Sequence, residues 1–161
     1  MSAIRTPLRL LSLFFLLALC SCSLPKDYTP DDASYGTSQG VALAARSQIG
    51  VPYKYGAMSP GDAFDCSGLV CWAHRAHGIK VPRTTREQLK VGREIPRKQV
   101  RPGDIVLFHI SKKGGYHSGI YSGNGNFIHS PSSGKKIREE SMGGPYWGPR
   151  FIGARSPYEL K

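Results

Sequence analysis

The sequence predicts an α+β fold, and two observations carry that expectation. From Val41 to about Gly92 the apolar residues recur at helical spacing; after Pro102-Gly103 the period changes to alternating or continuous apolar runs. The connections between the later runs are too short for parallel crossovers, so the strands pair antiparallel and follow the helices. A chain of 161 residues has room for one ordinary domain. Its 40% hydrophobic and 10% aromatic content supplies a core and excludes a disordered chain.

The first element is not part of that fold. "MSAIRTPLRLLSLFFLLALCSCS" sets Arg5 and Arg9 before an uncharged apolar run from Leu10 to Leu19. A basic start, an apolar middle and small residues at the end make a secretory signal, and the run is short for a membrane span of roughly 20 residues. Its "LCSC" end resembles the bacterial lipoprotein signal, with Leu19 three before Cys22 and small Ser21 just before it. Cys20 fits less well, because bulky Leu19 precedes it. The expected organisation is a signal peptide over 1–21, an acylated Cys22 with a flexible tether over 22–39, and a folded domain over 40–161. Two or more acyl chains anchor a protein stably where one is marginal. Ser23, where an aspartate favours inner-membrane retention, points to the inner leaflet of a Gram-negative outer membrane, facing the periplasm.

Charge narrows the partners. The formal net charge of +11 calls for an acidic partner: nucleic acid, anionic lipid or cell-wall polymer. Loss of Arg5 and Arg9 lowers it only to +9. An exported protein does not meet chromosomal DNA, so no nucleic acid partner is expected. Lys112, Lys113, Lys135, Lys136 and Arg138 are the candidates for holding an acidic polymer, with a solvated loop surface as the plain alternative.

The tether "SLPKDYTPDDASYGTSQG" is rich in Pro, Asp, Ser and Gly and lacks apolar periodicity. Val41, Ala44, Ala45 and Ile49 then form a helical stripe, stopped by Gly50 and Pro52. "SGLVCWAHRAHG" is a second helix. Asp65 stands in its cap position, Leu69, Trp72, Ala73 and Ala76 share a face, and Gly78 ends it. "TTREQLKVG" is a short third helix with capping-box spacing between Thr84 and Glu87. The runs "DIVLFHI", "YHSGIYS", "NFIHS" and "FIGARS" are strands, separated by Gly, Asn, Ser and Pro clusters.

Once Cys20 leaves and Cys22 is acylated, Cys66 and Cys71 remain. They lie five apart on different faces of one predicted helix, a geometry that disfavours a disulfide between them. Cys71, among Leu69, Val70 and Trp72, is a small core residue. Cys66 sits in the first turn, where the half-positive helix N-terminus stabilises a thiolate and makes it nucleophilic. Asp65 beside it opposes that effect, which suits a capping or substrate-facing role.

Among the five histidines, His74 and His77 fall late in the helix, on or near its solvent side, where the helix C-terminus accounts for them. His109 ends a strand without a nameable partner. His117 and His129 flank the hairpin signal "YSGNGN". An odd loop, such as three residues, puts both on one face; an even loop without a bulge puts them on opposite faces. A helix-start Cys facing two such His has the nucleophile, base and orienter arrangement of triad chemistry.

The blocks "GVPYKYG", "FDCSGLV", "VPRTTREQ", "RPGDIVLF", "HSGIY" and "FIHSP" resemble, in order and spacing, the NlpC family of bacterial cell-wall cysteine peptidases, over about Ser47 to Arg155. The resemblance implies a minimal papain-like fold, with helices on a small antiparallel sheet and the nucleophile at a helix N-terminus. It implies cleavage of peptidoglycan stem peptides at or next to meso-diaminopimelate, as a crosslink endopeptidase or a stem-trimming γ-D-glutamyl-diaminopimelate peptidase. By position Cys66 is the nucleophile, His117 the general base and His129 the orienting third residue. Tyr53 helps bind the oxyanion or the substrate, Asp65 and Ser67 flank the cysteine where some members hold the substrate's amine, and no metal or cofactor is required. Gly56-Ala57, where two glycines are usual, a long "MSPGDA" and the inserted "HISKKGGYH" bear on bond preference. The controlling partner of such a hydrolase, an adaptor or a protease, is not named by the sequence. Rival readings are a zinc site on Cys66, His117 and His129, which lacks a close-spaced ligand pair, and a catalytically degenerate wall-binding lipoprotein. The same thiol serving another acyl transfer, or a toxin against a foreign wall, is a third.

Overall fold

The computed structural model describes residues 33–111 and 115–158. The expected signal segment, Cys20, Cys22, the start of the tether, and Lys112 and Lys113 lie outside the described residues.

Two longer helices and a short one are α1 (Ala33–Ser47), α2 (Cys66–Arg75) and α3 (Thr85–Gln88). A two-stranded ribbon, β1 (Met58–Ser59) and β2 (Ala63–Phe64), precedes α2. The main sheet comprises β3 (Arg93–Ile95), β4 (Ile105–Ser111), β5 (Gly115–Gly123), β6 (Asn126–His129), β7 (Arg138–Ser141) and β8 (Phe151–Ser156). Its spatial order is β3-β8-β4-β5-β6-β7, and every pair is antiparallel, as the short connections require.

Alternation along the strands feeds two apolar layers. On one side Ile105, Leu107, Ile120 and Ile128 pack with Val41, Ala45, Leu69, Val70 and Ala73 of the helices. On the other, Val106, Phe108, Phe127 and Ala154 pack with Trp147, from the segment between β7 and β8. The four predicted strands are present. The polar β7, "REES", and the short β1, β2 and β3 carry no apolar alternation and escape a periodicity reading.

Three expectations change. The first helix begins at Ala33, inside the stretch read as tether, and Ser38 is buried. Burial of Val41, Ala42 and Ala45 draws weak helix formers into the helix. In α2 the buried arc runs over Ser67–Cys71 with Ala73 and His74, while Ala76 is exposed. The helix therefore lies between other elements rather than on the surface. Most clearly, His74 is not on the solvent side: it is 0% exposed. Its Nδ1 lies 2.8 Å from the Val70 carbonyl and its Nε2 3.1 Å from the Gly103 carbonyl.

Burial pushes His74 down to about 4, against the opposing pull of those two carbonyls. The unfolded chain protonates this histidine near 6.5, so acid favours the unfolded state. Stability therefore falls as pH drops from about 6.5 to about 4 and levels off below, with His74 alone contributing on the order of 3 kcal/mol. Denaturant midpoints at pH 7 and pH 4.5 measure this. The loss is expected to be smaller in His74→Gln; an equal loss in both proteins would show that another group is responsible.

Candidate active site

Cys66 is the first residue of α2, and its position is fixed by the residue before it. Asp65 caps the helix, its Oδ1 accepting the Gly68 N–H at 2.6 Å. The Arg83 guanidinium grips the same carboxylate with both arms, at 2.9 Å to Oδ1 and 2.7 Å to Oδ2. Gly56 N–H donates to Oδ2 at 2.8 Å, and the Ser67 hydroxyl accepts from Arg83 at 3.0 Å. Asp65 and Ser67 are thus tied into a clamp of cap, loop and arginine. A side chain at Gly68 would place its Cβ 2.3 Å from the Ala57 carbonyl, so the closeness of this loop to α2 demands glycine.

The partly buried Cys66 Sγ lies 3.6 Å from Thr85 Oγ1 in α3. Thr85 in turn meets the Ser118 hydroxyl at 3.3 Å. Among the described residues no hydrogen bond joins the thiol to His117, so Cys66 stands two contacts from the residue that follows His117. Catalytic hydrogen bonds often tighten only when substrate is bound. Tyr53 is nearby: its hydroxyl is raised by burial first, then by Cys66 and Asp65. Cys71 is buried, and its thiol donates to the Val81 carbonyl at 3.2 Å, the core role expected of it.

The two histidines meet. His117 Nε2 lies 2.8 Å from His129 Nδ1. The predicted hairpin delivers them by a route other than an odd loop. Its turn has two residues, Asn124 and Gly125, both with positive φ. A bulge between Tyr121 and Gly123 then shifts the register, so that Tyr121 faces Phe127 and Ile120 faces Ile128. That one-residue shift restores the two histidines to a common face. Gly119 lies between them; a Cβ there would sit 2.6 Å from the Phe127 ring and 3.1 Å from the His129 Cβ. The Trp147 ring stacks on His117, centroids 5.0 Å apart, and Phe127 stacks on His129 at 4.6 Å.

Burial lowers both imidazoles: His129 falls to about 4 despite Glu140 beside it, and His117 lies well below its ordinary value, with His129 adding to the effect. Both are therefore neutral at pH 7, as a proton acceptor must be. Both ring nitrogens of His129 are occupied, since Nε2 lies 2.8 Å from Glu140 Oε2. Zinc ligation by Cys66, His117 and His129 would break one of these bonds. A cleft of about 630 Å³ opens beside His117, lined in part by Pro131, Lys135, Arg138, Glu140 and Trp147.

Arg83, Thr85, Glu140 and Trp147 were not singled out by sequence reasoning. Arg83 and Thr85 fall inside the quoted "VPRTTREQ" block, which offered their only signal. Glu140 lies on an all-polar strand and Trp147 in a Gly/Pro-rich loop, where no periodicity marks them.

The NlpC/P60 family model matches residues 50–156. The murein DD-endopeptidase MepH of Escherichia coli (strain K12) is 42% identical over 112 residues, covering 67% of this chain and 41% of the relative. The gamma-DL-glutamyl hydrolase of Bacillus subtilis (strain 168) is 38% identical over 117 residues, 71% of this chain and 28% of that protein. This chain spans less than half the length of the curated relatives it matches. Among solved structures, NlpC2 from Trichomonas vaginalis superposes with a TM-score of 0.70 at 31% identity, over 77% of this chain and 47% of that one. With its helices packed on a small antiparallel sheet in the minimal papain-like arrangement, the chain belongs to the NlpC/P60 family.

Proposed function

We propose that this chain is a cysteine peptidase of peptidoglycan, cleaving stem-peptide amide bonds at or next to meso-diaminopimelate, and that it acts as a crosslink endopeptidase. The observation that carries the reading is the 2.8 Å His117–His129 pair in a domain that also sets a cysteine at a helix start, within a chain of this family. Similarity to a murein DD-endopeptidase supports the crosslink as the bond. Similarity to a gamma-DL-glutamyl hydrolase favours a second reading, trimming at the γ-D-glutamyl bond of a single stem.

Cys66 is the nucleophile in this reading. His117 Nδ1 takes its proton as Sγ attacks the amide carbonyl, giving a tetrahedral oxyanion and an imidazolium. The Cys66 backbone N–H and the Tyr53 hydroxyl face that oxyanion, where one donor is worth about 2.7–4 kcal/mol. His117 then gives its proton to the leaving amine, and a thioester remains on Cys66. Water, deprotonated by His117, attacks the thioester; the acid leaves and the thiol recovers its proton. His129 holds the His117 ring in place. Asp65, already gripped by Arg83, holds the nucleophile's helix and the loop against it.

Export and acylation at Cys22 complete the proposal and place the domain in the periplasm, at the outer membrane beside its polymer. Peptidoglycan is then its partner, and its basic residues favour that acidic surface.

Three outcomes test this. Purified sacculi treated with the chain are expected to lose crosslinked dimers by mass spectrometry, with Cys66→Ala silent; shortened monomer stems would instead support the γ-D-glutamyl reading. Arg83→Ala leaves a buried carboxylate without its partner, which costs about 1–3 kcal/mol. Its melting temperature should fall, and Arg83→Lys, which lacks the planar fork, should recover only part of it. Labelled palmitate fed to expressing cells should enter the chain and be lost in Cys22→Ser; undiminished label in that variant would remove the anchor.

A further inference from the structure

Glu140 accounts for a feature that nucleophile, base and orienter leave open: which nitrogen of each imidazole carries its proton. Glu140 Oε2 lies 2.8 Å from His129 Nε2 and accepts the Trp147 indole N–H at 2.7 Å. Its other oxygen pairs with Arg138 at 2.9 Å. We propose that Glu140 is a positioning residue that sets the proton arrangement across both histidines, extending the site to Cys66-His117-His129-Glu140. The inference rests on the catalytic reading above.

The Glu140 carboxylate is held ionised. Burial would raise it, but the Trp147 hydrogen bond, His129 and Arg138 together bring it below the ordinary range. An ionised carboxylate can only accept, so His129 must donate from Nε2. A neutral imidazole has one N–H, so His129 Nδ1 is a bare acceptor. His117 must then donate from Nε2 across the 2.8 Å contact, which leaves His117 Nδ1 without a proton. That is the atom a base needs free. Reversing the carboxylate's demand would reverse both rings and disarm the site.

A second consequence concerns charge. When His117 takes the thiol proton, the imidazolium is stabilised through His129 by the carboxylate beyond it. The charged and titratable groups facing the pair are Glu140 and Arg138 on β7, and Lys135 in the turn before it. Arg138 and Lys135 oppose protonation of His129, and Glu140 is the one of the three that favours it.

Two variants separate acceptor from charge. Glu140→Gln keeps an acceptor oxygen for His129 and Trp147 but loses the charge; Glu140→Ala loses both. In the ¹⁵N-histidine-labelled 161-residue chain, NMR is expected to find protons on Nε2 of both His117 and His129. Glu140→Gln should keep that pattern, and Glu140→Ala should not. Alkylation of Cys66 by iodoacetamide, read by peptide mass mapping, should shift its midpoint upward by roughly one pH unit in Glu140→Gln. On sacculi, Glu140→Ala should lower kcat roughly 100-fold with KM little changed.

A wild-type His129 protonated on Nδ1 would overturn the assignment. So would a folded Glu140→Gln with an unshifted alkylation profile. If Glu140→Ala fails to fold, the wild-type tautomers and the Gln variant still decide. If the tautomers and alkylation behave as expected but the wild-type chain leaves sacculi intact, the peptidase reading fails and the role of Glu140 stands.

Discussion

The site depends on the pairing register of β5 and β6. Side chains alternate along a strand, so an extra residue in one strand exchanges which of its side chains face the core. The two-residue turn at Asn124-Gly125, continued without interruption, would set His117 and His129 on opposite faces. The bulge before Gly123 absorbs one residue and restores the pairing of Ile120 with Ile128. That single irregularity sends Ile120 and Ile128 to the helix side with the core, and leaves the histidines together under Trp147 and Phe127. The cost of a broken ladder is local; the cost of the alternative would be a strand with its apolar set exposed.

On the other side of the site the constraint is electrostatic. The positive end of α2 calls for a carboxylate cap, yet that carboxylate, Asp65, is buried one residue before Cys66. The two demands are reconciled by Arg83, which takes up the Asp65 charge through two short hydrogen bonds, while Gly56 and Gly68 N–H groups take up the remaining lone pairs. Asp65 thereby has a structural role. It fastens α2, the loop before β1 and the start of α3 to one another, and its charge is matched locally rather than directed at the thiol. The sequence places Asp65 in a capping or a substrate-facing role; the structure shows the cap, through the Gly68 N–H, with further hydrogen bonds from Gly56, Ser67 and Arg83.

How much of this was legible in the sequence follows from the range of each signal. Helix caps and strand alternation are local, so Asp65, the Thr84–Glu87 capping box and the four apolar strands could be read directly. Cys71 as a core residue followed from its neighbours. The meeting of His117 and His129 could be framed only as a condition on loop parity, because a bulge leaves no mark in composition. His74 was misplaced for a related reason. The helix-end argument considers one element, whereas its burial comes from the Gly103 loop and Tyr158 closing over α2, contacts distant in sequence. Glu140 and Arg83 are charged residues on short polar segments, and nothing local separates them from solvated surface.

The burial of the histidine pair links activity to stability. A base that must be neutral before it acts gains from a dry, aromatic surround, since desolvation keeps the proton off until the thiol supplies one. The same surround makes protonation of the folded state costly, so His117 and His129 add to the acid sensitivity that His74 already confers. Glu140 lies where these demands meet. It is more exposed than the rings it serves, its carboxylate keeps access to the cleft, and its hydrogen bond to Trp147 holds the indole over His117. One side chain thus fastens the lid of the dry compartment and supplies the charge that an imidazolium inside it would require. Neither task can be met by an apolar residue there, which is why a strand with the sequence Arg-Glu-Glu-Ser can form the sheet edge beside a buried histidine pair.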